Sequence, residues 1–551
     1  MTIGSTSSEK QSLQSMPADK YARWLVPSIG DLLFIALLGS LCFTTLSVRL
    51  LGDAGIGWHI RTGQLILATL AIPHADPFSS TMAGQPWFAW EWLYDLMVGW
   101  LDKVAGLNGV VFFTASVIAL TFSWTLRLLL RRGTNFPVAL ALVLLAASAA
   151  MIHFFARPHV VSWLFTVLWF SILDSYERNG DSSSTVRDQY GLWLLPPLMV
   201  LWVNTHGGFL LGLVLLGIYW LSAIWQWFTL KEDRFEDVLQ KIRAGKRARN
   251  LALVGVISTL VTLANPYGWK LHIHIYHYLS NGFLMDHIDE FQSPNFHGIA
   301  QKCFAVLLLL SLIALATKRR SAGEIRLSAP LVTLFATYSG LYASRNIPLS
   351  SLLMILVMGP WLSDGAHSLF ERFSKWRMMP QGASAATFLQ RMQRIDLSLH
   401  GHLWCLAAIV LTCWIAFHGG KLGTAPLMDA HFDSKRFPTG AVNYLEAHQL
   451  QGPVFAPDYW GGYFIYRLYP QIKLSIDDRH DLYGEAFLKS YLKLMHAEPG
   501  WQDFLEQYPV RYVVVPVESA PANLLAESRG WQRVYGDNVA VIFANTRISI
   551  R

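Results

Sequence analysis

Long runs of apolar residues, separated by shorter polar segments, extend over most of this chain. About 20 apolar residues are needed to cross a bilayer as a helix, and the pattern predicts about eleven such spans. The predicted spans cover residues 31–50, 108–130, 136–156, 159–176, 191–205, 207–228, 251–265, 301–317, 327–344, 347–363 and 402–419. The pattern therefore predicts an α-helical polytopic membrane protein.

The charges between the apolar runs predict how the chain is oriented. The segments "TLKEDRFEDVLQKIRAGKRARN", "TKRRSAGEIR" and "LFERFSKWRMMPQGASAATFLQRMQR" are rich in Lys and Arg, and the positive-inside rule places such loops in the cytoplasm. Segment 87–106 contains Glu91, Asp95, Asp102 and Lys103, and each charge at the bilayer centre costs roughly 2.5–3.5 kcal/mol. We therefore predict that 87–106 is a juxtamembrane helix, with the N-terminus of the chain inside and its C-terminus outside.

The polar segments also predict how the chain divides into a tail, a transmembrane region and a C-terminal domain. Residues 55–70 mix apolar and polar positions as an interfacial helix does, so the first outer loop, residues 51–107, should hold two membrane-surface helices. Near the C-terminus, the short apolar and β-branched runs "PVFA", "KLSID", "VRYVVVP" and "VAVIFA" predict strands among helices. The expected parts are a cytoplasmic tail at 1–30, a transmembrane region at 31–420 and an extracytoplasmic α/β domain at 421–551.

Composition supports the membrane assignment and argues against nucleic acid as a partner. Of the 551 residues, 53% are hydrophobic and 15% are charged, whereas soluble proteins carry about 25% charged residues. The net charge is +7, but the basic residues lie mostly in loops, which suits membrane orientation better than nucleic-acid binding. The four cysteines lie in or beside apolar runs, so the sequence predicts neither a disulfide nor a zinc site.

In this topology, polar side chains collect at the outer ends of the spans. The first loop contributes Asp53, His59, Arg61, His74, Asp76 and Glu91, and later junctions contribute Arg157 and His159, Asn204 and His206, and Arg345 and Asn346. Ionisable groups at membrane depth are costly and are therefore usually paired or functional. A span that stops at Pro158 and a helical hairpin at Gly207 would explain two of these clusters equally well.

Two further segments carry candidate chemistry. The histidine-rich loop that follows the seventh predicted span resembles a metal site only weakly, and its Asp286, Asp289 and Glu290 favour a solvated loop face. In the C-terminal part, "SIDDRHDLYG" places Asp478, Arg479 and Tyr483 after a predicted strand, where α/β sheets hold ligand sites. The alternative is a charge-paired turn that anchors this domain to the membrane region.

The layout resembles the GT-C membrane glycosyltransferases, which include protein O-mannosyltransferases, lipid A aminoarabinose transferases and oligosaccharyltransferases. The resemblance lies in an acid after the first span, a long outer loop with two juxtamembrane helices, many further spans and an outer α/β domain. More narrowly, "GDAGIGWHIRTGQLILATLAIPHADPFSSTMAGQPWFAWEWL" and "DYWGGYFIYRLYPQIKLSIDDRHDLYG" resemble a bacterial family that is grouped with GT-C.

The resemblance implies roles for the candidate residues. Asp53 matches the acid that carries the main catalytic role in GT-C enzymes. The implied donor is a sugar on a polyprenyl phosphate or diphosphate, and the implied acceptor is an extracytoplasmic lipid, glycan or protein. Donor or phosphate binding is assigned to His59, Arg61, Asp76, Glu91, Arg157, His159, Asn204, His206 and Arg345, and contact with acceptor or sugar to Asp478, Arg479 and Tyr483.

The chain also departs from the GT-C patterns. Asp53 has no acidic neighbour before Asp76, and "QPWFAWEW" replaces the Lys-Pro-Pro or His-Pro-Pro of the aminoarabinose transferases. The paired acids of oligosaccharyltransferases are missing too, so no metal ligand is assigned and no cofactor is required, although a divalent metal remains possible. The alternatives are a non-catalytic assembly protein of cell-envelope glycan synthesis and a transporter or flippase of a lipid-linked substrate. The expected location is the bacterial inner membrane.

Overall fold

The computed structural model describes residues 23–179, 191–317, 326–376 and 382–547. Within these ranges, six helices are long and apolar enough to cross a membrane, and one bent helix pair makes a seventh if it is counted as one span. The six are Arg23–Phe43, Trp92–Arg131, Phe136–His153, Phe209–Thr229, Ile299–Ala316 and Ser344–Ala366, and the bent pair is Gln390–Ser398 with Leu403–Phe417. Each coincides with a predicted span.

The membrane region is built from sixteen α-helices within the described residues. They are α1 (Ile29–Phe43), α2 (Leu46–Leu50), α3 (Ile56–Thr69), α4 (Trp92–Arg131), α5 (Phe136–Ala150), α6 (His159–Asn179), α7 (Leu195–Val203), α8 (Phe209–Thr229), α9 (Phe235–Val261), α10 (Trp269–Ser280), α11 (Gly282–His287), α12 (Ile299–Thr317), α13 (Ser328–Tyr342), α14 (Ile347–Trp376), α15 (Gly382–Ser398) and α16 (Leu403–Phe417). Four predicted spans fall in α6, α7, α9 and α13, which are too short or too polar to pass as spans alone. For these four, and for the total of eleven, membrane crossing stays a prediction.

Helix α4 joins the predicted juxtamembrane helix to the predicted second span. Its 40 residues are interrupted at Gly106, where the backbone has φ +59°. At 1.5 Å per residue, about 20 residues suffice for the hydrocarbon core, so the part before Gly106 is not needed for crossing. That part packs closely on α3, because a side chain on Gly63 would collide with the backbone of Asp95.

The residues after α16 form a small sheet domain. Its strands are β1 (Lys421–Leu422) and β2 (Ala425–Pro426), which pair with each other, and β3 (Val454–Phe455), β4 (Tyr512–Pro516), β5 (Trp531–Gly536) and β6 (Ala540–Asn545), in the sheet order β3-β4-β6-β5. Its helices are α17 (Thr439–Ala447), α18 (Asp458–Leu468), α19 (His480–Tyr483), α20 (Glu485–Met495), α21 (Gln502–Gln507) and α22 (Ala520–Glu527). Strand β3 runs parallel to β4, and the other neighbours in this sheet are antiparallel.

One predicted strand is absent, and one observed strand was not predicted. The run "KLSID" forms no strand; its Leu474 makes only isolated bridges, to Val454 and to Ser79. Conversely, β5 escaped prediction because it is an edge strand whose side chains are all at least partly exposed, so no apolar run marks it. The bridge to Ser79 matters for the site, because it ties the sheet domain to the chain between α2 and α4.

The part of the predicted outer loop that precedes α4 is residues 51–91, and from here on we call only this part the first loop. Helix α3 of this loop packs against α18 of the sheet domain through glycines. A Cβ atom on Gly57 would overlap the carbonyl group of Gly462, and one on Gly462 would overlap the carbonyl oxygen of Ala54. This close approach requires residues without side chains, and it brings the first loop and the sheet domain together at one end of the helical bundle.

Candidate active site

A cavity of about 300 Å³ lies where the first loop, the helix ends and the sheet domain meet. Eight of the residues to which the resemblance assigned a role line it: Asp53, Glu91, Arg157, His159, His206, Arg345, Asp478 and Arg479. They come from the first loop, from the junctions before α6, α8 and α14, and from the turn before α19. The fold therefore brings together side chains that are distant in sequence.

Arg157 lies at the centre of the charged part of this cavity. Its Nη1 atom donates to Oδ1 of Asp53 and to Oδ2 of Asp478, both at 2.8 Å. Asp53 also accepts a hydrogen bond of 2.8 Å from the backbone N–H of Gly55. A Cβ atom on Gly55 would overlap the Arg157 guanidinium, so this position requires glycine for the ion pair to form.

Asp478 is the carboxyl group that the sheet domain contributes to the cavity. It accepts a second hydrogen bond, of 2.9 Å, from the indole Nε1 of Trp58. Burial raises the pKa of Asp478 to about 6; the Arg157 charge opposes that rise and the Asp53 charge adds to it. A carboxyl group with this pKa changes charge near neutral pH.

A second arginine faces the cavity from the start of α14. Nη1 of Arg345 lies 3.4 Å from Oε1 of Glu290, and its guanidinium carbon is 4.6 Å from the ring centre of Phe291. Burial alone would raise the pKa of Glu290, but the charge of Arg345 dominates with other nearby cations and lowers it to about 2. Glu290 is therefore an ionised partner of Arg345, and its side chain is still 40% exposed, as the predicted solvated loop face would have it.

Glu91 occupies the cavity wall between two histidines. Its carboxyl oxygens lie 3.8 Å from Nε2 of His59 and 3.7 Å from Nε2 of His206. Burial raises the pKa of Glu91 to about 8 and lowers the pKa of both histidines well below their usual value. At neutral pH the two histidines are therefore uncharged and Glu91 is mostly protonated.

A separate ion network reaches the cavity wall at Arg479, but its charged side chains are closed to solvent. Arg479 donates from Nε and Nη2 to Asp477, and its Nη2 is also 2.8 Å from Oδ1 of Asp76. Tyr483 donates a 2.8 Å hydrogen bond to Asp477. The Arg479, Asp76 and Asp477 side chains are at most 1% exposed, so this network holds the first loop to the sheet domain.

Solved structures align with this chain over most of its length. The Archaeoglobus fulgidus oligosaccharyltransferase tethered with an acceptor peptide aligns with a TM-score of 0.53 at 13% identity, over 95% of this chain and 74% of that chain. ArnT from Cupriavidus metallidurans in the apo state aligns at 0.49 and 13%, over 94% and 98% of the two chains. The chain has a GT-C-like fold. No family model and no curated protein matches the sequence.

Five of the residues to which the resemblance assigned a role do not line the cavity and make structural contacts instead. Arg61 donates to the backbone carbonyl of Tyr466 in α18. Asn204 accepts from Trp92 and donates to the carbonyls of Val200 and Ala264. The remaining three, His59, Asp76 and Tyr483, are buried behind the cavity wall. Sequence position alone does not show which way a side chain faces, so the sequence could not exclude these five residues from the cavity.

The cavity is also lined by titratable residues that the sequence did not assign to the site. They are Asp95, His153, Glu290 and Asp481. Asp481 lies three residues after Asp478, and its carboxylate is 3.1 Å from His274 of the histidine-rich loop. Its position in the charged "SIDDRHDLYG" turn was the feature of the sequence that could have indicated Asp481 as a site residue.

A divalent cation would need converging carboxylate oxygens. In the described part of the chain, no group of three or more His, Cys, Asp or Glu side chains has a metal-binding arrangement. Asp53 and Asp478 do converge, but the Arg157 guanidinium already lies between them. Arg157 therefore occupies the position between Asp53 and Asp478 where a cation would otherwise bind.

Proposed function

We propose that this protein is a membrane glycosyltransferase that moves a sugar from a polyprenyl-phosphate-linked donor to an extracytoplasmic lipid, glycan or protein. The observation that carries this proposal is the meeting of Asp53, Arg157 and Asp478 in one cavity at the end of the bundle. The GT-C-like fold supports it, and the positive-inside pattern of the sequence suggests that the cavity opens on the outer face.

In the proposed reaction, a nucleophilic group of the acceptor, commonly a hydroxyl, attacks the anomeric carbon of the donor sugar. A new carbon–oxygen bond forms, the bond from that carbon to the phosphate oxygen breaks, and its electron pair leaves with the phosphate. Asp53 takes the acceptor's proton. Both hydrogen bonds that Asp53 accepts from described residues end at Oδ1, which leaves Oδ2 as the proton acceptor.

The leaving phosphate requires positive charge, and two arginines supply it. Arg157 uses only Nη1 in its bonds to described residues, so Nε and Nη2 remain for phosphate oxygens, which arginine binds in bidentate fashion. Arg345 lines the same cavity. Since burial keeps His59 and His206 uncharged, we assign phosphate binding to the arginines.

The sheet domain completes the proposed site. Asp478 reaches the cavity beside Arg157 and Trp58, where a carboxyl group can accept hydrogen bonds from sugar hydroxyls. Arg479 and Tyr483 act through Asp477, because they hold the turn that carries Asp478. We therefore expect this domain to be needed for transfer, not only for assembly.

The test is a deletion strain that expresses either the wild type or one matched variant. Asp53→Asn keeps the shape of the side chain but removes the base, whereas Asp429→Asn changes an aspartate that is 87% exposed. Mass spectrometry of surface glycans and lipids should show a product in the wild type and in Asp429→Asn. In Asp53→Asn, loss of a general base should lower the product about 10²- to 10⁴-fold.

The amount of membrane-inserted protein is measured in each strain, so that a folding defect is recognised. Asparagine can still accept from the Gly55 N–H, and the side chain is about one-third exposed, so Asp53→Asn should accumulate normally. A wild-type product level from normally expressed Asp53→Asn would exclude the catalytic role. That result would favour the assembly or transport alternatives.

A further inference from the structure

A second cavity, which we call the α8–α9 groove, lies between helices α8 and α9. Its volume is about 420 Å³, and its mostly apolar lining includes Leu213, Gly217, Trp220, Ala252, Val256 and Leu260. Val256 and Leu260 are exposed, so the groove opens on the outside of the helical bundle. Because α8 is long and apolar enough to span a membrane, this surface contacts lipid chains.

The direction of the groove follows from how α8 and α9 pack. A Cβ atom on Gly245 would be 3.2 Å from Trp227, and one on Gly255 would be 2.9 Å from Leu216, so the two helices run antiparallel. Leu210, in the first turn of α8, lines the candidate active site. The groove therefore runs from the neighbourhood of that site toward the opposite side of the membrane.

The groove has about the depth of one lipid leaflet. On α9 its lining runs from Leu251 to Leu260, which is about 14 Å at 1.5 Å per residue. Half of a hydrocarbon core of about 30 Å is about 15 Å. A Cβ atom on Gly217 would meet no atom within 4 Å, so the space beside α8 is open. The groove therefore suits one extended acyl chain of a lipid from a single leaflet.

Two cations lie beyond the groove at the end farther from the active site. Lys246 and Arg249 are within two helical turns of Leu251 on α9, and both are exposed. Neither side chain has an ion-pair or hydrogen-bond partner in the described ranges. By contrast, Lys241 is paired with a glutamate and Arg247 is buried against a glutamine. Lys246 and Arg249 are therefore available to an anion from outside the chain.

The order of charges along α9 indicates the depth of these two cations in the membrane. The acids of this helix all precede Lys241, residues 241–249 carry only positive charges, and residues 250–261 carry no charge. Water, lipid phosphates and hydrocarbon follow one another in the same order. The exposed Trp227 of α8 lies at the level of Gly245, and tryptophan is enriched at membrane interfaces. Lys246 and Arg249 therefore lie near the level of the lipid phosphates.

We propose that the α8–α9 groove binds one anionic phospholipid of the leaflet opposite the candidate active site. The phosphate of this lipid contacts Lys246 and Arg249, because anionic headgroups attract cations near the membrane surface. One acyl chain lies along Val256 and Leu260 toward the middle of the bilayer. The inference does not depend on the proposed transferase function.

Charge argues against two other occupants of the groove. The isoprenoid chain of a donor whose phosphate lies at Arg157 would enter at the other end and leave Lys246 and Arg249 without an anion. A second copy of this chain has the same orientation in the membrane, so its α9 would pack in parallel along this face. The two cations would then meet their counterparts at the same depth, and like charges in contact repel.

Native mass spectrometry of the purified, delipidated full-length protein tests the proposal. Phosphatidylglycerol and phosphatidylcholine with identical acyl chains are titrated separately, and the dissociation constant of the first bound lipid is measured. Each cation near an anionic headgroup changes the affinity about 5-fold. The wild type should therefore prefer phosphatidylglycerol, and equal dissociation constants for the two lipids would overturn the proposal.

The cations are tested by combining Lys246→Gln with Arg249→Gln. Loss of two charges should weaken phosphatidylglycerol binding about 30-fold and change phosphatidylcholine binding little. The matched control combines Lys231→Gln with Arg234→Gln, which removes one exposed lysine and one exposed arginine at the far end of the same loop. This control should bind both lipids as the wild type does.

The groove is tested by Gly217→Leu, whose side chain fills the open space beside α8. Overpacking of an occupied groove should weaken the binding of both phospholipids about 5-fold or more. Gly39→Leu is the matched control, because a Cβ atom at Gly39 in α1 also meets no atom within 4 Å. It should bind both phospholipids as the wild type does.

Unchanged phosphatidylglycerol affinity in the double-glutamine variant or in Gly217→Leu would overturn the proposal. The same titration with a polyprenyl phosphate separates the alternative source of the chain. If Gly217→Leu weakens polyprenyl phosphate binding and leaves phosphatidylglycerol binding unchanged, the groove belongs to the donor. Should Gly217→Leu fail to fold, the double-glutamine variant still decides, because it changes only exposed side chains.

Discussion

Two arginines each bridge a carboxylate of the first loop and a carboxylate of the sheet domain. Arg479 bridges Asp76 of the loop and Asp477 of the domain, whereas Arg157 bridges Asp53 of the loop and Asp478 of the domain. The Arg479 network is at most 1% exposed. The Arg157 network opens to the cavity, with side-chain exposures of 24% for Arg157, 34% for Asp53 and 16% for Asp478.

The two networks differ in their access to solvent. The closed Arg479 network is an anchor, whereas the open Arg157 network is a candidate reaction centre. Charges that are fully buried are costly to leave unpaired, so the Arg479 network holds the interface in one geometry. It is also backed by the rings of Trp87 and Phe78, whose centres are 4.7 and 5.1 Å from the guanidinium carbon. Charges that meet a cavity can exchange one partner for a ligand, and this freedom suits the Arg157 network to catalysis.

The largest expected effect comes from removing each arginine in turn. Arg479→Met leaves Asp76 and Asp477 buried without their cation, and it should destabilise the protein by about 3–5 kcal/mol. Arg157→Met leaves carboxylates that are 34% and 16% exposed and can be hydrated or protonated, so the expected loss of stability is smaller than in Arg479→Met, although the glycan product should disappear. Thermal unfolding of the purified full-length variants, followed by tryptophan fluorescence, measures the contrast.

Equal unfolding midpoints for the two methionine variants would contradict the division into a sealed and an open network. Arg479→Lys serves as the control for charge alone. It keeps the cation but loses the fork of donors that contacts Asp477 through two nitrogens, so its midpoint should lie between those of the wild type and Arg479→Met.

An intermediate effect is expected at the glycine contact that supports both networks. In Gly462→Ala, the added Cβ overlaps the carbonyl oxygen of Ala54, and overpacking of this kind typically costs about 1–3 kcal/mol. Gly39→Ala is the matched control, because a Cβ there meets no atom within 4 Å and alanine favours a helix by up to about 1 kcal/mol. Limited proteolysis of the full-length protein should cleave near α18 faster in Gly462→Ala only. Identical cleavage in both variants would show that the sheet domain does not depend on this contact.

The smallest effect concerns the pH dependence of stability at Asp478. Burial raises its pKa to about 6, so between about pH 4 and pH 6 the folded state binds more protons here than the unfolded state. The contribution of Asp478 to stability is therefore largest below about pH 4 and is lost as pH rises to about 6. Asp478→Asn should remove this part of the slope. Unfolding midpoints at several pH values test it, and parallel curves for wild type and variant would contradict it.

Much of the architecture could be predicted from the sequence because it depends on local patterns. Seven predicted spans coincide with helices or a helix pair that pass as spans, since a continuous apolar run needs no partner to be recognised. Helix α3 begins and ends within one residue of the predicted interfacial helix 55–70. Gly106 separates two helical segments because its φ of +59° is a conformation that glycine readily adopts.

The choice among candidate site residues could not be read from local pattern. Asp477 and Asp478 are adjacent and chemically identical, yet one is sealed beside Arg479 and the other faces the cavity beside Arg157. Arg61 and Arg157 are both arginines at predicted outer positions, yet Arg61 is bound to the backbone of α18. The sequence restricted the candidates to the outer ends of the spans, and it could not show that Glu290 of the solvated loop face pairs with Arg345.

The sequence by itself determined that this is a helical membrane protein with a small C-terminal sheet domain and a set of polar groups near the helix ends. Apolar runs and turn residues encode those features within about 20 neighbouring positions. Only the tertiary structure decided which polar groups meet. Arg157 is 104 residues from Asp53 and 321 from Asp478, and contacts over such separations arise from the packing of α3 on α18 and from the burial that surrounds each charge.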